Sequence, residues 1–482
     1  MKMRRIIARL LVPVMIAGMS GSFLAGCGEK KDEDVIVLRV ANWEEYVDLG
    51  DWDEEEMIEL EDGTCILGEN SLIEDFEDWF YDTYGRKVQV EYSTFGTCEE
   101  LYNQITIGDE FDLACPSEYM IMKMMREGML EPYSDDFFDT SDSNNYYING
   151  VSPFIRERLE ELSISGEGVS NYAACYMWGT LGIVYNPEEI SVEEASHYSI
   201  LVDPAYKRRV TIKDSVRDTY FAAIAIANYD EITSEEFLNS DSYLENLTEA
   251  INRTDADTVN AVEKVLREAK ENVYSFETDS GKADMVTGKV LANLQWSGDA
   301  VYTLDQADED GVELCFANPE ECTNLWFDGW IQLKSGINGD SDRKMAAEAF
   351  VNYMSMPENA IRNMYYIGYT SSIAGGDSNL IYEYLQWNYG AEEDEEDAVS
   401  YCVSYFFTGE EEDITGDYTF LTTKDQTRRQ LAAQYPSAEV MDRAVVMACF
   451  DDESNERINR MWTNVRCFDV VEWVQSLGGS KK

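Results

Sequence analysis

The chain has 482 residues and a formal net charge of −58, with 95 acidic and 37 basic residues. This length allows two or three domains. Because so acidic a protein repels phosphate, the composition excludes nucleic acid as a default partner, whereas it favours cations near the surface. The lone histidine, His197, argues against a histidine-dependent triad or an imidazole metal site. No metal and no cofactor is predicted.

The N-terminus has the features of an export signal. Residues 1–26 combine a basic start with an apolar stretch at 6–19 and end in Leu24-Ala-Gly before Cys27. This pattern is typical of a signal peptide, and its end resembles a bacterial lipobox, in which the cysteine is lipidated. We therefore expect Cys27 to anchor the mature protein to the outside of the cell membrane, with 27–34 as the lipidated cysteine and tether. No later segment has the apolar length to span a bilayer.

The first predicted strand, residues 35–41, runs directly into Asn42-Trp-Glu-Glu-Tyr46. Ligands of open α/β sheets bind at the carboxyl ends of strands. Aromatic faces beside carboxylates suit a ligand that is both a cation and a hydrocarbon. The alternative is that Trp43 and Tyr46 only pack the end of the strand.

Strands and helices alternate after an acidic insertion at 48–72, which predicts a parallel α/β sheet. Ser117 and Tyr119 directly follow the third strand, and the methionines of the helix after it are expected in the core. The predicted elements are helix 71–84, strand 87–92, helix 99–108, strand 111–116 and helix 120–130.

The second half begins with a long strand at 173–185, which is long enough to cross between two domains. Asp214 is expected to cap the helix that ends near 227, and Asp218 lies in its first turn. Residues 365–372 are interpreted as a turn, and 376–422 as a second acidic insertion. The remaining predictions are strands 209–213, 289–295, 313–316 and 325–331, and helices 256–270, 345–354, 438–450 and 456–466.

Several aromatic and acidic clusters lie at the ends of these strands. In order and spacing they resemble the bacterial spermidine/putrescine-binding proteins of ABC importers. The matching segments are Asn42-Trp-Glu-Glu-Tyr46, Pro116-Ser-Glu-Tyr119, Tyr176-Met-Trp-Gly-Thr180, Asp214-Ser-Val-Arg-Asp218, Trp296-Ser-Gly, Trp326-Phe-Asp328 and Ile367-Gly-Tyr-Thr370.

The resemblance implies a two-lobe α/β fold of the type II periplasmic-binding-protein class, with strand crossovers as the hinge and a ligand cleft between the lobes. The implied division assigns 35–177 and 327–370, with the insertion 48–72, to lobe 1. It assigns 178–326 and 371–482, with the insertion 376–422, to lobe 2.

The resemblance also implies which residues bind the ligand. Carboxylates such as Asp218 and Asp328 would hold ammonium groups, and tryptophans would wall the methylenes. The full implied set is Trp43, Glu44, Tyr46, Ser117, Tyr119, Asp214, Asp218, Trp296, Trp326, Asp328 and Tyr369.

The function implied is capture of a polyamine outside the membrane by a monomer that delivers it to an ABC permease, without enzymatic activity. Glu44 stands where the family often has a small hydroxyl residue, and it would either hold another amine or point to solvent. The family also has an amide ligand near the C-terminus, to which no position is assigned here. The alternatives are a receptor for another cationic solute and an extracellular hydrolase that uses two carboxylates.

Overall fold

The computed structural model describes residues 35–392 and 394–467. The predicted signal peptide, Cys27, the tether and residues 468–482 lie outside these ranges. The strands are β1 (Val35–Trp43), β2 (Ile58–Glu59), β3 (Cys65–Ile66), β4 (Lys87–Phe95), β5 (Leu113–Ala114), β6 (Leu130–Glu131), β7 (Ser163–Ile164), β8 (Glu167–Gly168), β9 (Ala173–Tyr185), β10 (Val210–Lys213), β11 (Ser275–Glu277), β12 (Ala292–Trp296), β13 (Cys315–Ala317), β14 (Thr323–Leu333), β15 (Thr370–Ser371), β16 (Ala398–Cys402), β17 (Thr419–Thr423) and β18 (Ala444–Val445).

The helices differ widely in length, and short 3-10 turns join several of them. They are α1 (Leu72–Tyr84), α2 (Cys98–Ile107), α3 (Glu118–Arg126), α4 (Tyr146–Gly150), α5 (Pro153–Glu160), α6 (Val192–Ala195), α7 (Val216–Ala227), α8 (Tyr229–Ile232), α9 (Glu235–Leu238), α10 (Tyr243–Ile251), α11 (Ala256–Asn272), α12 (Gly281–Val286), α13 (Ser297–Glu309), α14 (Lys334–Ile337), α15 (Ser341–Met354), α16 (Pro357–Ile367), α17 (Leu380–Tyr389), α18 (Ser404–Thr408), α19 (Gln430–Gln434), α20 (Ala438–Met441) and α21 (Asp452–Arg466).

Most of the strands join one mixed sheet, whose main path runs β11-β10-β12-β9-β14-β5-β1-β4. At one end β1 lies parallel to β4 and β5, and at the other β10 lies parallel to β11 and β12. The alternation of strand and helix predicts these parallel groups, and they are confirmed. The prediction of a parallel sheet is wrong at the centre of the sheet, because β9 pairs antiparallel with both β12 and β14.

The two long strands β9 and β14 belong to both halves of the sheet. Every residue of β9 is buried, as is every residue of β14, which explains their continuous apolar character. Their register shifts between Asp328 and Gly329, so that Met177 faces Asp328 and Cys175 faces Gly329. This bulge leaves Tyr176 as the extra residue, and bulges of this kind redirect neighbouring side chains.

The hydrophobic residues pack separately on the two halves of the sheet. One group surrounds β1 and includes Leu38, Phe76 and Phe350. Another surrounds β10 and β12 and includes Phe221 and Leu294. The buried Met120, Met122 and Met124 of α3 confirm that its methionines pack in the core.

Both acidic insertions contribute to the core instead of forming only surface loops. In the first, Trp52 and Ile58 are buried, and Asp48 accepts a hydrogen bond of 2.7 Å from Arg362 Nε. In the second, the Phe406 ring stacks on Trp178 with centroids 5.7 Å apart. The Tyr405 ring also packs edge-on against Phe154 with centroids 5.2 Å apart, so the second insertion packs against an element that precedes residue 178.

Three local predictions are wrong. Ser215, not Asp214, caps α7, because its hydroxyl accepts the backbone N–H of Asp218. The segment 365–372 begins as the last turn of α16, which ends at Gly368 in a left-handed conformation with φ of 80°. The helix at 438–450 is confined to α20, since the chain then pairs with β14 as β18.

The nine cysteines within the described ranges are all free thiols, and five of these are buried. No helix in the same ranges is long and apolar enough to cross a membrane.

Candidate ligand-binding site

Asp328 is a buried carboxylate at the bulge in β14, and 6% of its surface is exposed. Its Oδ1 accepts a hydrogen bond of 2.7 Å from the Ser117 hydroxyl, and its Oδ2 accepts one of 2.8 Å from the Tyr46 hydroxyl. Burial raises the pKa of Asp328 to about 6, although both hydrogen bonds lower it. Among the described residues, no lysine or arginine forms an ion pair with this carboxylate.

Aromatic rings surround Asp328 and lead away from it. The Tyr46 ring packs edge-on against Tyr369 and Tyr176, with centroids 5.2 Å and 5.6 Å away. The Tyr369 ring in turn lies 5.7 Å from that of Trp326. An added Cβ at Gly298 would lie 2.4 Å from the Tyr369 ring, so the first turn of α13 approaches this ring only because the residue is glycine.

A second carboxylate, Asp218, lies on the other half of the sheet in the first turn of α7. Its Oδ1 accepts a hydrogen bond of 3.2 Å from the Trp296 indole N–H at the end of β12. Burial raises the pKa of Asp218, whereas hydrogen bonds from Ser215 and Trp296 and the charges of Lys213 and Arg217 lower it.

Asp299 connects the two halves. Its Oδ1 accepts a hydrogen bond of 3.0 Å from the Tyr369 hydroxyl, and its Oδ2 lies 3.1 Å from Lys213 Nζ. Burial favours a raised pKa of Asp299, but the charges of Lys213 and Lys282 outweigh it, and the pKa lies below its usual value. Lys213 Nζ also lies 4.3 Å above the Trp296 ring. A continuous series of contacts therefore joins Asp328 to Asp218.

Tyr119 lies at a further contact between the halves. The guanidinium of Arg217 lies 4.4 Å from the Tyr119 ring centroid and 4.0 Å from Glu118 Oε1. Burial raises the pKa of Glu118 to about 7. Its Oε2 has no hydrogen-bond partner in the described part of the chain.

The structure brings together eight of the eleven predicted residues, some in direct contact and others through Asp299, Lys213 or Arg217. They are Tyr46, Ser117, Tyr119, Asp218, Trp296, Trp326, Asp328 and Tyr369. Arg217 is the neighbour that links Tyr119 to Asp218.

The other three predicted residues lie apart from these contacts. Trp43 is half-buried and packs on Phe95 at 4.8 Å, and the Glu44 side chain is exposed. Asp214 is exposed, and its Oδ2 lies 2.6 Å from the Arg466 guanidinium. The ligand-binding role of these three residues stays a prediction.

Sequence reasoning did not assign Tyr176, Lys213, Asp299 or Gln434 to the site. Lys213 ends β10, and Asp299 follows the end of β12 by three residues. Both therefore fit the rule, applied above to Trp43, that ligands bind at the carboxyl ends of strands. Gln434 Nε2 donates a hydrogen bond of 2.8 Å to the Gly368 carbonyl, next to Tyr369. No sequence signal identifies Gln434, because the second insertion separates it from every matching segment.

The chain is similar in sequence to curated periplasmic binding proteins. The chain is 23% identical over 352 residues to the spermidine/putrescine-binding periplasmic protein of Salmonella typhimurium, covering 73% of this chain and 81% of that protein. It is 22% identical over 279 residues to the putrescine-binding periplasmic protein PotF of Escherichia coli, covering 56% and 67%.

Solved structures share the fold. A spermidine/putrescine ABC transporter substrate-binding protein from Streptococcus pneumoniae gives a TM-score of 0.58 at 23% identity, covering 89% of this chain and 98% of that one. A putative spermidine/putrescine ABC transporter protein from Listeria monocytogenes gives 0.57 at 21% identity, with the same coverage. The chain therefore has the two-lobe α/β fold of periplasmic binding proteins, as predicted. Because the family model matches residues 71–376, the chain belongs to the bacterial extracellular solute-binding protein family.

Proposed function

We propose that this protein captures a polyamine outside the cell membrane and delivers it to an ABC permease. The observation that carries the proposal is Asp328, a buried carboxylate that hydroxyl groups orient while no cationic side chain of the described chain neutralises it. Desolvating such a charge is costly, and a bound ammonium would offset that cost. The names of the relatives point to the same ligand class.

The ligand would lie along the contacts that join Asp328 to Asp218. Tyr46, Tyr369 and Trp326 offer aromatic faces for methylene groups and for the flanks of an ammonium. Gln434 supplies the amide that the family resemblance implies near the C-terminus. Its Nε2 donates a hydrogen bond to the carbonyl of Gly368, the residue before Tyr369.

The two lobes would divide at β9 and β14, the strands that belong to both halves of the sheet. The packing of Tyr405 on Phe154, which lies in the predicted lobe 1, supports moving the insertion 376–422 from lobe 2 to lobe 1. Domain closure about two such strands is a common binding motion.

The protein would act as a monomeric, lipid-anchored carrier without enzymatic activity. The lipobox-like sequence before Cys27 supports the anchor, and membership of a solute-binding family supports the absence of catalysis.

The test is a calorimetric titration of residues 28–482 with putrescine and spermidine at low and moderate salt. Saturable one-to-one binding that persists at moderate salt is expected, since a buried charge pair is screened little. Weak heats from many sites that vanish with salt would mean that amines only coat the acidic surface, and the proposal would be wrong.

A further inference from the structure

Lys213 is a cation that the protein itself places within the proposed ligand path. It is 1% exposed, at the end of β10. Its ammonium lies 4.3 Å above the Trp296 ring, 3.1 Å from Asp299 Oδ2 and 3.1 Å from the Thr278 carbonyl oxygen. An aromatic face, a carboxylate and a carbonyl are the groups that would bind an ammonium of a ligand. Here the side chain of Lys213 already uses them.

The two ends of the proposed ligand path, at Asp328 and at Asp218, differ in the cationic side chains that act on their carboxylates. The charges of Lys213 and Arg217 both act on Asp218, and those of Lys213 and Lys282 act on Asp299. Asp328, by contrast, has hydroxyl partners alone among the described residues. Of the three aspartates along the path, Asp328 is therefore the one on which no cationic side chain of the described residues acts.

We infer that Lys213 is a specificity-determining residue, whose ammonium excludes a ligand ammonium from the Trp296 end and makes the site select a short diamine over a triamine. This inference rests on the proposed function and narrows its ligand class. One ammonium of a diamine binds Asp328, and its short chain lies among the tyrosine rings. A longer triamine extends further toward Trp296 and brings an additional positive charge near Lys213 and Arg217. Like charges repel strongly where water is excluded.

The experiment measures the dissociation constants of putrescine and spermidine by calorimetry, for the whole mature protein and for Lys213→Met. Methionine keeps most of the volume of the side chain and removes its charge. Lys289→Met is the matched control, because Lys289 also lies near a carboxylate and a ring: Asp284 at 2.8 Å and Tyr274 at 4.5 Å. Arg217→Gln is a second test variant, which removes the other cation near Asp218.

The wild-type protein should bind putrescine about tenfold more tightly than spermidine. Lys213→Met should reduce this preference about tenfold. Arg217→Gln should shift it in the same direction, and Lys289→Met should leave it unchanged. If Lys213→Met does not fold, as judged by thermal unfolding, Lys213→Gln takes its place, because glutamine removes the charge and keeps a hydrogen-bond donor for Asp299 and the Thr278 carbonyl. An unchanged preference in the folded Lys213 variant would overturn the role of Lys213 while amine binding stands. Failure of both amines to saturate the unchanged protein would instead overturn the proposed function, and the inference with it.

Discussion

At the scale of the residue, Asp328 is the side chain on which the proposed binding depends most. Asp328→Asn keeps the shape of the side chain and removes its charge. We expect ligand affinity to fall by about a hundredfold or more, because the bound ammonium would lose its buried partner. Calorimetry on the variant measures this loss, and Asp230→Asn at an exposed position is the control. Equal losses in the two variants would contradict the assignment.

The same substitution is expected to stabilise the ligand-free protein. The pKa of Asp328 is raised from 3.8 to about 6, so above that pH the ionised carboxylate destabilises the folded state. Removing the charge should raise the free energy of unfolding at pH 7.5 by about 1–3 kcal/mol. Thermal unfolding without ligand measures the change. A lower melting temperature would mean that hydrogen bonding to the carboxylate outweighs its burial.

Affinity should also depend on pH through Asp328. Protonation removes the negative charge that the ammonium needs, so binding should weaken as the pH falls through about 6. Between pH 7.5 and pH 5 we expect about a tenfold loss. The residual binding of Asp328→Asn should lack this dependence, which separates the effect from Glu118, whose pKa is about 7. A flat profile in the unchanged protein would contradict the prediction.

At the scale of the element, the approach of α13 to Tyr369 depends on Gly298. The added methyl group of Gly298→Ala would lie 2.4 Å from the ring and displace it. We expect affinity to fall about tenfold, since the Tyr369 hydroxyl would no longer reach Asp299. Gly96→Ala is the control, because its methyl would meet nothing closer than 3.5 Å. A similar result for the two variants in calorimetry would show that the close approach does not matter for binding.

The exposed acidic residues of the second insertion should not take part in binding. Asp394, Glu395, Glu396 and Asp397 are all exposed, and surface charges of this kind are screened by salt. Replacing them with the matching amides should change affinity at moderate salt by less than about twofold. A large loss in the same titration would show that this segment reaches the ligand.

At the scale of the whole molecule, ligand bound between the lobes should stabilise both of them together. At a ligand concentration one hundred times the dissociation constant, the gain in the free energy of unfolding is about 2.7 kcal/mol. A melting temperature that rises by a few degrees in a single transition is expected with putrescine. Asp328→Asn at the same putrescine concentration should show almost no rise. A rise of equal size in this variant would point to binding at the acidic surface.

The sequence by itself determined the elements with strong local patterns. The apolar run 173–185 is β9, and the alternation of strands and helices produces the parallel groups around β1 and β10. The order of the aromatic and acidic motifs pointed to the Asp328 and Asp218 regions through the family resemblance, since Asp328 lies within β14 and Asp218 within α7.

The tertiary structure alone decided which charges are left without a partner. Lys213 and Asp299 are far apart in sequence, and only folding places the ammonium over Trp296. The antiparallel pairing of β9 with β14 and its bulge at Asp328 likewise depend on contacts distant in the chain. Only the folded backbone shows that Ser215 caps α7, because Asp214 and Ser215 are neighbours and both residue types are suited to capping. Local patterns specify periodicity and residue type, whereas register and ion pairing follow from long-range packing.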